Sequence, residues 1–156
     1  MKKLAEEHEY IGKSIARIHK MSMMYLAKHF SKYNIGSGQC FFLVKIYNNP
    51  GITQEELALS MFFDKGTTAR AIKVLEDNGY IKRVRREDDK RAYSIIATDK
   101  AEEIKEDVYS ILNSWEETFK SGFTLDEGKQ FVSLLNKLKD NNFFKESDVK
   151  WTGKRD

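Results

Sequence analysis

A chain of 156 residues, 40% hydrophobic and 33% charged, is long enough for one domain with its own core, and that balance excludes disorder along the whole length. The formal net charge of +3 is too small to indicate a nucleic-acid partner by itself, because a small sum can hide local basic patches. No run approaches about 18 consecutive apolar residues, so no membrane helix is expected; the N-terminal MKKLAEEHEY carries acids where a signal peptide needs an apolar run, and one cysteine, Cys40, excludes an internal disulfide and suits a reducing, cytoplasmic compartment.

Residues 4–31 place Ile11, Ile15, Ile18 and Tyr25 at helical spacing, with Met21, Met24 and Leu26 widening the stripe. That stripe is broad enough to want a partner beyond its own domain. Tyr33 to Gly36 breaks the helix, and Ser37 is placed to cap a second one from Gly38 to about Asn48. Its CFFLVKIY core is apolar nearly all round, as a buried central helix should be. Asn49-Pro50-Gly51 ends it, since proline disfavours helix at the residue before it. TQEE, Thr53 to Glu56, is a capping box that opens a short helix to about Leu59. Asp64 is placed to cap the next helix, Lys65 to Asn78, with Ala71, Ile72 and Leu75 on its inner face and Gly79 as its C′ glycine. Two helices joined by a few residues are helix-turn-helix organisation.

A charged hairpin is predicted next: Tyr80 to Arg86, a turn over Glu87 to Lys90, and a return strand from Arg91 to Ala97. Thr98 is placed to cap one long helix with Ile104, Val108, Ile111, Trp115 and Phe119 on a single face. Thr124 to Glu127 is a second capping box, opening a last helix with Phe131, Leu135 and Leu138 inward. Residues 143–156 form a tail with Phe143, Phe144 and Trp151 among charges. The expected class is mainly α with a small β-hairpin: a winged helix-turn-helix lobe, 37–97, and a helical dimerisation region, 4–32 with 98–142.

Helix-turn-helix followed by a charged hairpin is a winged helix. DKGTTARAIKVLEDNGYIKR, residues 64–83, and DDKRAYSIIATDKA, residues 88–101, are similar to a recognition helix and an Asp-x-Arg wing. Over roughly residues 5–142 the chain resembles the multiple antibiotic resistance regulator (MarR) family of transcription factors. It departs from the family pattern at Gly66, where Ser is usual, at Ala97, where Leu is usual, and at Ala101, where Gly is usual. Gly66 should loosen the helix start slightly.

The major groove admits one helix, and the amino-terminal half of a recognition helix reaches base edges. Here that half offers Lys65, Thr67, Thr68 and Arg70; Lys73 suits a phosphate, and Gln54 is placed for a backbone contact. Between Lys82 and Arg91 stand six basic residues, among them Arg85, Arg86, Lys90 and Arg91, and three acids. A wing entering a narrow minor groove needs arginine at its tip; the resemblance gives that role to Arg91, with Asp89 pairing with it or holding the turn. The bland reading is a polar hairpin whose charges keep a sheet edge from aggregating.

One helix and one wing cover a half-site. The first and the last helices carry more apolar face than one winged helix buries, which implies a two-fold homodimer on a pseudo-palindromic operator in double-stranded DNA, its recognition helices about 34 Å apart. His8, His19 and His29 stand about 15 Å apart along one helix, too far to share a metal, and no metal or other cofactor is expected. Cys40 starts the apolar second helix, where a thiol is ordinarily inert. Relatives bind small aromatic or phenolic anions between the dimer helices and the DNA-binding lobe. The resemblance therefore implies an effector, with Lys13 and Arg17 facing a carboxylate and Tyr33 and Tyr109 as walls; ordinary salt bridges and packing are the competing use. No nucleophile–base pair or phosphate-cradling glycine loop marks an enzyme. The expected function is a dimeric repressor released by a small effector; the alternative is a winged-helix module that docks on protein and lacks specific DNA binding.

Overall fold

The computed structural model describes residues 10–89 and 92–140. Helix α1 (Ile11–Phe30) runs through a 3-10 turn (Ser31–Tyr33) into α2 (Gln39–Asn48). Strand β1 (Ile52–Thr53), α3 (Gln54–Met61) and α4 (Lys65–Asp77) follow. The hairpin strands are β2 (Ile81–Arg85) and β3 (Tyr93–Ala97), and the chain then forms α5 (Asp99–Glu103), α6 (Lys105–Lys120) and α7 (Leu125–Lys139). The arrangement is helical with a small antiparallel sheet ordered β1-β3-β2.

Helix α2 lies at the centre because its sequence leaves little to hydrate: Cys40, Phe42, Leu43, Ile46 and Tyr47 are all buried. Leu57 of α3, Ile72 and Leu75 of α4, and Ile81 and Ile95 of the sheet close on it, each at most 2% exposed. Fully burying side chains of this size contributes about 1.5–3 kcal/mol apiece. Leu26 and Phe30 at the end of α1 and Val108 of α6 join the same core.

Ser37 does not cap α2; Gly38 stands at the N-cap with no side-chain bond. The TQEE box forms as expected, with Thr53 accepting from the Glu56 N–H at 3.2 Å and Glu56 accepting from the Thr53 N–H at 2.8 Å. Strand β1 was not expected. It is two residues long, below the length at which period-2 alternation is visible, and exists because Ile52 pairs with Ile95 of β3. Asp64 and Gly79 take their anticipated places, Gly79 at φ +75°.

The long helix expected after Thr98 is divided at Ile104 (φ −99°, ψ 0°). The Tyr47 hydroxyl donates to the Ala101 carbonyl at 2.5 Å, and the same carbonyl accepts from the Ile104 N–H at 3.3 Å. A side chain entering the helical ladder is an established cause of such a break. The last helix also differs from expectation. The spacing turns Phe131 and Leu135 inward, but they are 37% and 40% exposed, and α7 buries no residue within the single chain. In α1, Ile11, Met21 and Met24 are more than 60% exposed.

The C-terminal end of α4 is tied to the rest of the molecule by side chains from distant elements. Tyr80 donates its hydroxyl to the Tyr33 carbonyl at 2.8 Å, and Asn78 donates from Nδ2 to the Asn34 carbonyl at 3.2 Å. The Thr98 hydroxyl donates to the Gly79 carbonyl and Lys100 Nζ to the Asn78 carbonyl, both at 2.6 Å. These bonds anchor one end of α4 and leave the other, at Lys65, pointing outward.

Candidate nucleic-acid interface

The outward end of α4 begins at Asp64. Its Oδ1 accepts from the Thr67 N–H at 2.9 Å and its Oδ2 from the Thr67 hydroxyl at 2.6 Å. The Thr67 hydroxyl and N–H hold the Asp64 carboxyl below its usual range. Thr67 Oγ1 accepts in turn from Arg70 Nη2 at 3.0 Å. Asp64, Thr67 and Arg70 thus form one chain of hydrogen bonds along an exposed helix face. Their i, i+3, i+6 spacing carried the signal for it in the sequence. Lys65 stands beside them, 3.7 Å from Glu55 of α3.

Thr68 requires a correction. The sequence puts it on the DNA-reading face, but it is 0% exposed, and its hydroxyl donates to the Asp64 carbonyl at 3.0 Å. The reason is helical phase: Thr68 shares the inner face with Ala71 and Ile72, about one turn on, and Leu75, about two turns on. Its type suits base contact, but its position does not.

Further along α4, Lys73 pairs with Asp77 at 3.0 Å, and Glu76 meets Arg83 of β2 at 3.3 Å. Gln54 opens α3, half-buried, on the capping-box turn. Exposed ion pairs of this kind are worth at most about 1 kcal/mol each, so a phosphate can displace the carboxylates readily.

The hairpin projects from the body. Ile81 is buried, whereas the other four residues of β2, including Arg85, are exposed. Beyond the strand, Arg86 N–H donates to the Ala92 carbonyl at 3.1 Å and Ala92 N–H to the Asp89 carbonyl at 3.0 Å, so Asp89 holds the turn through its backbone. Among the described residues of the wing, Arg86 and Asp88 form a two-pronged arginine–carboxylate pair: Nε to Oδ1 at 2.9 Å and Nη2 to Oδ2 at 2.7 Å. Arg86 holds the Asp88 carboxyl down at about 2. Sequence reasoning missed this pair. Lys90 and Arg91 lie outside the described residues.

The four residues expected at an effector site are not together in the cavity that Tyr109 lines. Lys13 and Arg17 are exposed on α1. The Tyr33 hydroxyl donates to Asp107, and the Tyr109 hydroxyl donates to Asn48 Oδ1 at 3.0 Å. Tyr109 lines a shallow depression along α6 with Glu106, Ser110 and Asn113, without the other three. Cys40 is buried, its thiol donating to the Ser37 carbonyl at 3.0 Å and pushed up to about 12 by burial. Among the described residues, no cluster of His, Cys, Asp or Glu could hold a metal ion, and no helix is long and apolar enough to cross a membrane.

A family model described as MarR family matches residues 36–93. The HTH-type transcriptional regulator BilQ of Clostridioides difficile (strain CD3) is 30% identical over 86% of this chain and 90% of its own length. The HTH-type transcriptional regulator YybA of Bacillus subtilis (strain 168) is 36% identical over 72% of this chain and 75% of its own. Among solved structures, a MarR transcriptional regulator from Methanosarcina mazei Go1 is 37% identical with a TM-score of 0.76, covering 87% of this chain and 98% of that one. A MarR family regulator from Listeria monocytogenes, solved with 26mer DNA, is 28% identical with a TM-score of 0.81, covering 96% and 99%. The winged-helix geometry and these likenesses agree: the chain belongs to the MarR family of transcriptional regulators.

Proposed function

We propose that this protein is a homodimeric, sequence-specific DNA-binding repressor, with residues 37–97 as the reading lobe and the helices on either side as the dimerising region. The observation that carries the reading is the state of α4. Its rear face is buried and its far end anchored, while Lys65 and Arg70 stand exposed on the outward end beside a basic hairpin. Such a helix end suits a major groove, and Arg85 and Arg86 of the hairpin suit the flanking backbone. The Listeria relative was solved with 26mer DNA, and its likeness covers nearly the whole chain.

The dimer part of the proposal rests on the apolar faces that α1 and α7 leave exposed: Ile11, Met21 and Met24 on one, Leu125, Val132 and Leu134 on the other. Exposed apolar surface on this scale is ordinarily covered by a partner. Release by a small aromatic or phenolic anion completes the proposal, and it acts by favouring a spacing of the two α4 helices that does not fit DNA.

Selection of bound duplexes from a random library tests the reading. The expected product is a pseudo-palindrome with half-sites about one turn apart, whose affinity falls steeply with salt. Recovery of no enriched sequence, with salt-dependent binding to any duplex, favours the protein-docking module instead. Loss of affinity in Arg91→Ala, with the dimer intact, tests the wing tip.

A further inference from the structure

Arg70 does not extend freely from α4. Its guanidinium folds back one turn towards the helix start, where Nη2 donates to Thr67 Oγ1 at 3.0 Å while Thr67 donates to Asp64 Oδ2 at 2.6 Å. The corner it occupies lies over Gly66. A Cβ added at Gly66 would stand 3.1 Å from Asp64 Oδ1 and 3.6 Å from Arg70 Nη1. The backbone at Gly66 is not in the left-handed region, since the positive-φ glycines among the described residues are Gly51 and Gly79. Conformational freedom therefore does not require glycine there, and the distinctive property of the position is a tight corner, in which a Cβ would press on the Asp64 carboxylate while meeting Arg70 at ordinary contact distance. A serine in its place would put a hydroxyl donor beside Asp64 and compete with Thr67 for the carboxylate that orients the whole chain.

We infer that Gly66 is a specificity-determining residue: by leaving the corner at the start of α4 unfilled, it lets Arg70, oriented by Thr67 and Asp64, present its guanidinium at the helix end that reads the base edge. An arginine fork has five N–H donors, and the bond to Thr67 uses one. The remaining edge suits the O6 and N7 acceptors of guanine. Each half-site should then contain one guanine whose recognition depends on residue 66 as well as on Arg70. The inference rests on the DNA-binding reading above and adds to it which residue sets the reach of the arginine.

The test is selection of bound duplexes by the full-length wild type, Arg70→Ala, Gly66→Ser, Gly66→Ala and the double variant Gly66→Ser with Arg70→Ala, each checked for melting temperature and dimer content. The wild type should enrich a guanine at one symmetric position. Arg70→Ala should weaken that preference at least about fivefold, the lower end of what a bidentate arginine–guanine contact supplies. Gly66→Ser should weaken or shift the preference at the same position and leave other positions unchanged, and the double variant should match Arg70→Ala alone. Gly66→Ala, which adds only the Cβ, should fall between wild type and Gly66→Ser, and carries the test should the serine variant fail to fold. A guanine preference untouched by the folded residue-66 variants, or changed at a position that Arg70→Ala leaves alone, overturns the inference while the DNA-binding reading stands. Enrichment of no sequence by the wild type overturns both.

Discussion

Thr68 and Thr67 are neighbours of the same type with opposite surroundings, and replacing each by valine separates a packing role from a reading role. In Thr68→Val the shape is kept and one bond is lost, the 3.0 Å donation from the hydroxyl to the Asp64 carbonyl. That carbonyl keeps the Thr68 N–H at 3.0 Å, so no buried acceptor is orphaned. A net hydrogen bond contributes about 1 kcal/mol, and the new methyl lies in a fully buried apolar site that returns a comparable amount. Stability should therefore change by less than about 1 kcal/mol, or less than about 4 °C in melting temperature for a chain of this size. Operator affinity should not change. In Thr67→Val the hydroxyl that accepts from Arg70 and donates to Asp64 disappears from a partly exposed site, so stability should hold while Arg70 loses its orientation. Loss of about 1 kcal/mol at this contact weakens operator binding roughly fivefold per half-site. Circular dichroism melts and fluorescence anisotropy with a selected duplex supply both readouts. The reasoning is refuted if Thr68→Val costs as much affinity as Thr67→Val with its melting temperature unchanged, because a buried hydroxyl would then be reaching DNA.

Tyr47→Phe keeps a buried ring and removes the 2.5 Å donation to the Ala101 carbonyl; with Ile104 N–H still bound there, the loss should be about 1 kcal/mol, read as a lower melting temperature with unaltered DNA affinity. Gly79→Ala places a Cβ at φ +75° in ordinary contact with Lys100 Cδ at 3.7 Å, so its expected cost of about 1–2 kcal/mol is backbone strain alone, and Gly79→Asn should cost less in the same denaturation assay. The Asp88 carboxyl, held by Arg86, sits at about 2 against an ordinary 3.8. Because the folded value is the depressed one, the pair is intact above pH 4 and its contribution is lost as pH falls from about 4 towards 2. Carboxyl NMR titration should show that low midpoint and its return towards the ordinary value in Arg86→Ala.

The features legible in sequence were those written in local spacing. Both capping boxes, the Asp64 cap and the Gly79 stop depend on residues three or four apart and appear where the pattern put them. The features that escaped depend on contacts between distant segments. Strand β1 exists through Ile95, more than 40 residues away, and the break at Ile104 comes from Tyr47 in another helix. In the wing, the Arg86–Asp88 pair joins residues only two apart and was still not legible, because a turn decides which neighbouring charges face each other; the Asp89 backbone carbonyl accepts from the Ala92 N–H and so helps close that turn.

Candidate site residues divide along the same line. Lys65, Arg70 and Lys73 are exposed where helical phase turns them outward, and Thr68, of a type suited to base contact, is buried because phase turns it inward. Helical phase puts Thr68 on the same side as Ala71, Ile72 and Leu75, whatever its hydroxyl could offer a base. The inward assignment of Phe131 and Leu135 erred in the opposite sense. Their periodicity on α7 is sound, but periodicity reports that a face will be covered and not by which chain. Among the described residues α7 buries no side chain within the single chain, and α1 buries only Ser22, Leu26 and Phe30, near its C-terminal end. Among the described residues, most of the large apolar side chains that the single chain leaves exposed thus lie on the helical regions that flank the winged lobe, with Leu59, Phe62, Phe63, Val84 and Tyr93 exposed on the lobe itself. That segregation is what a protein needs if one part is to hold two copies together while another stays free to face a duplex.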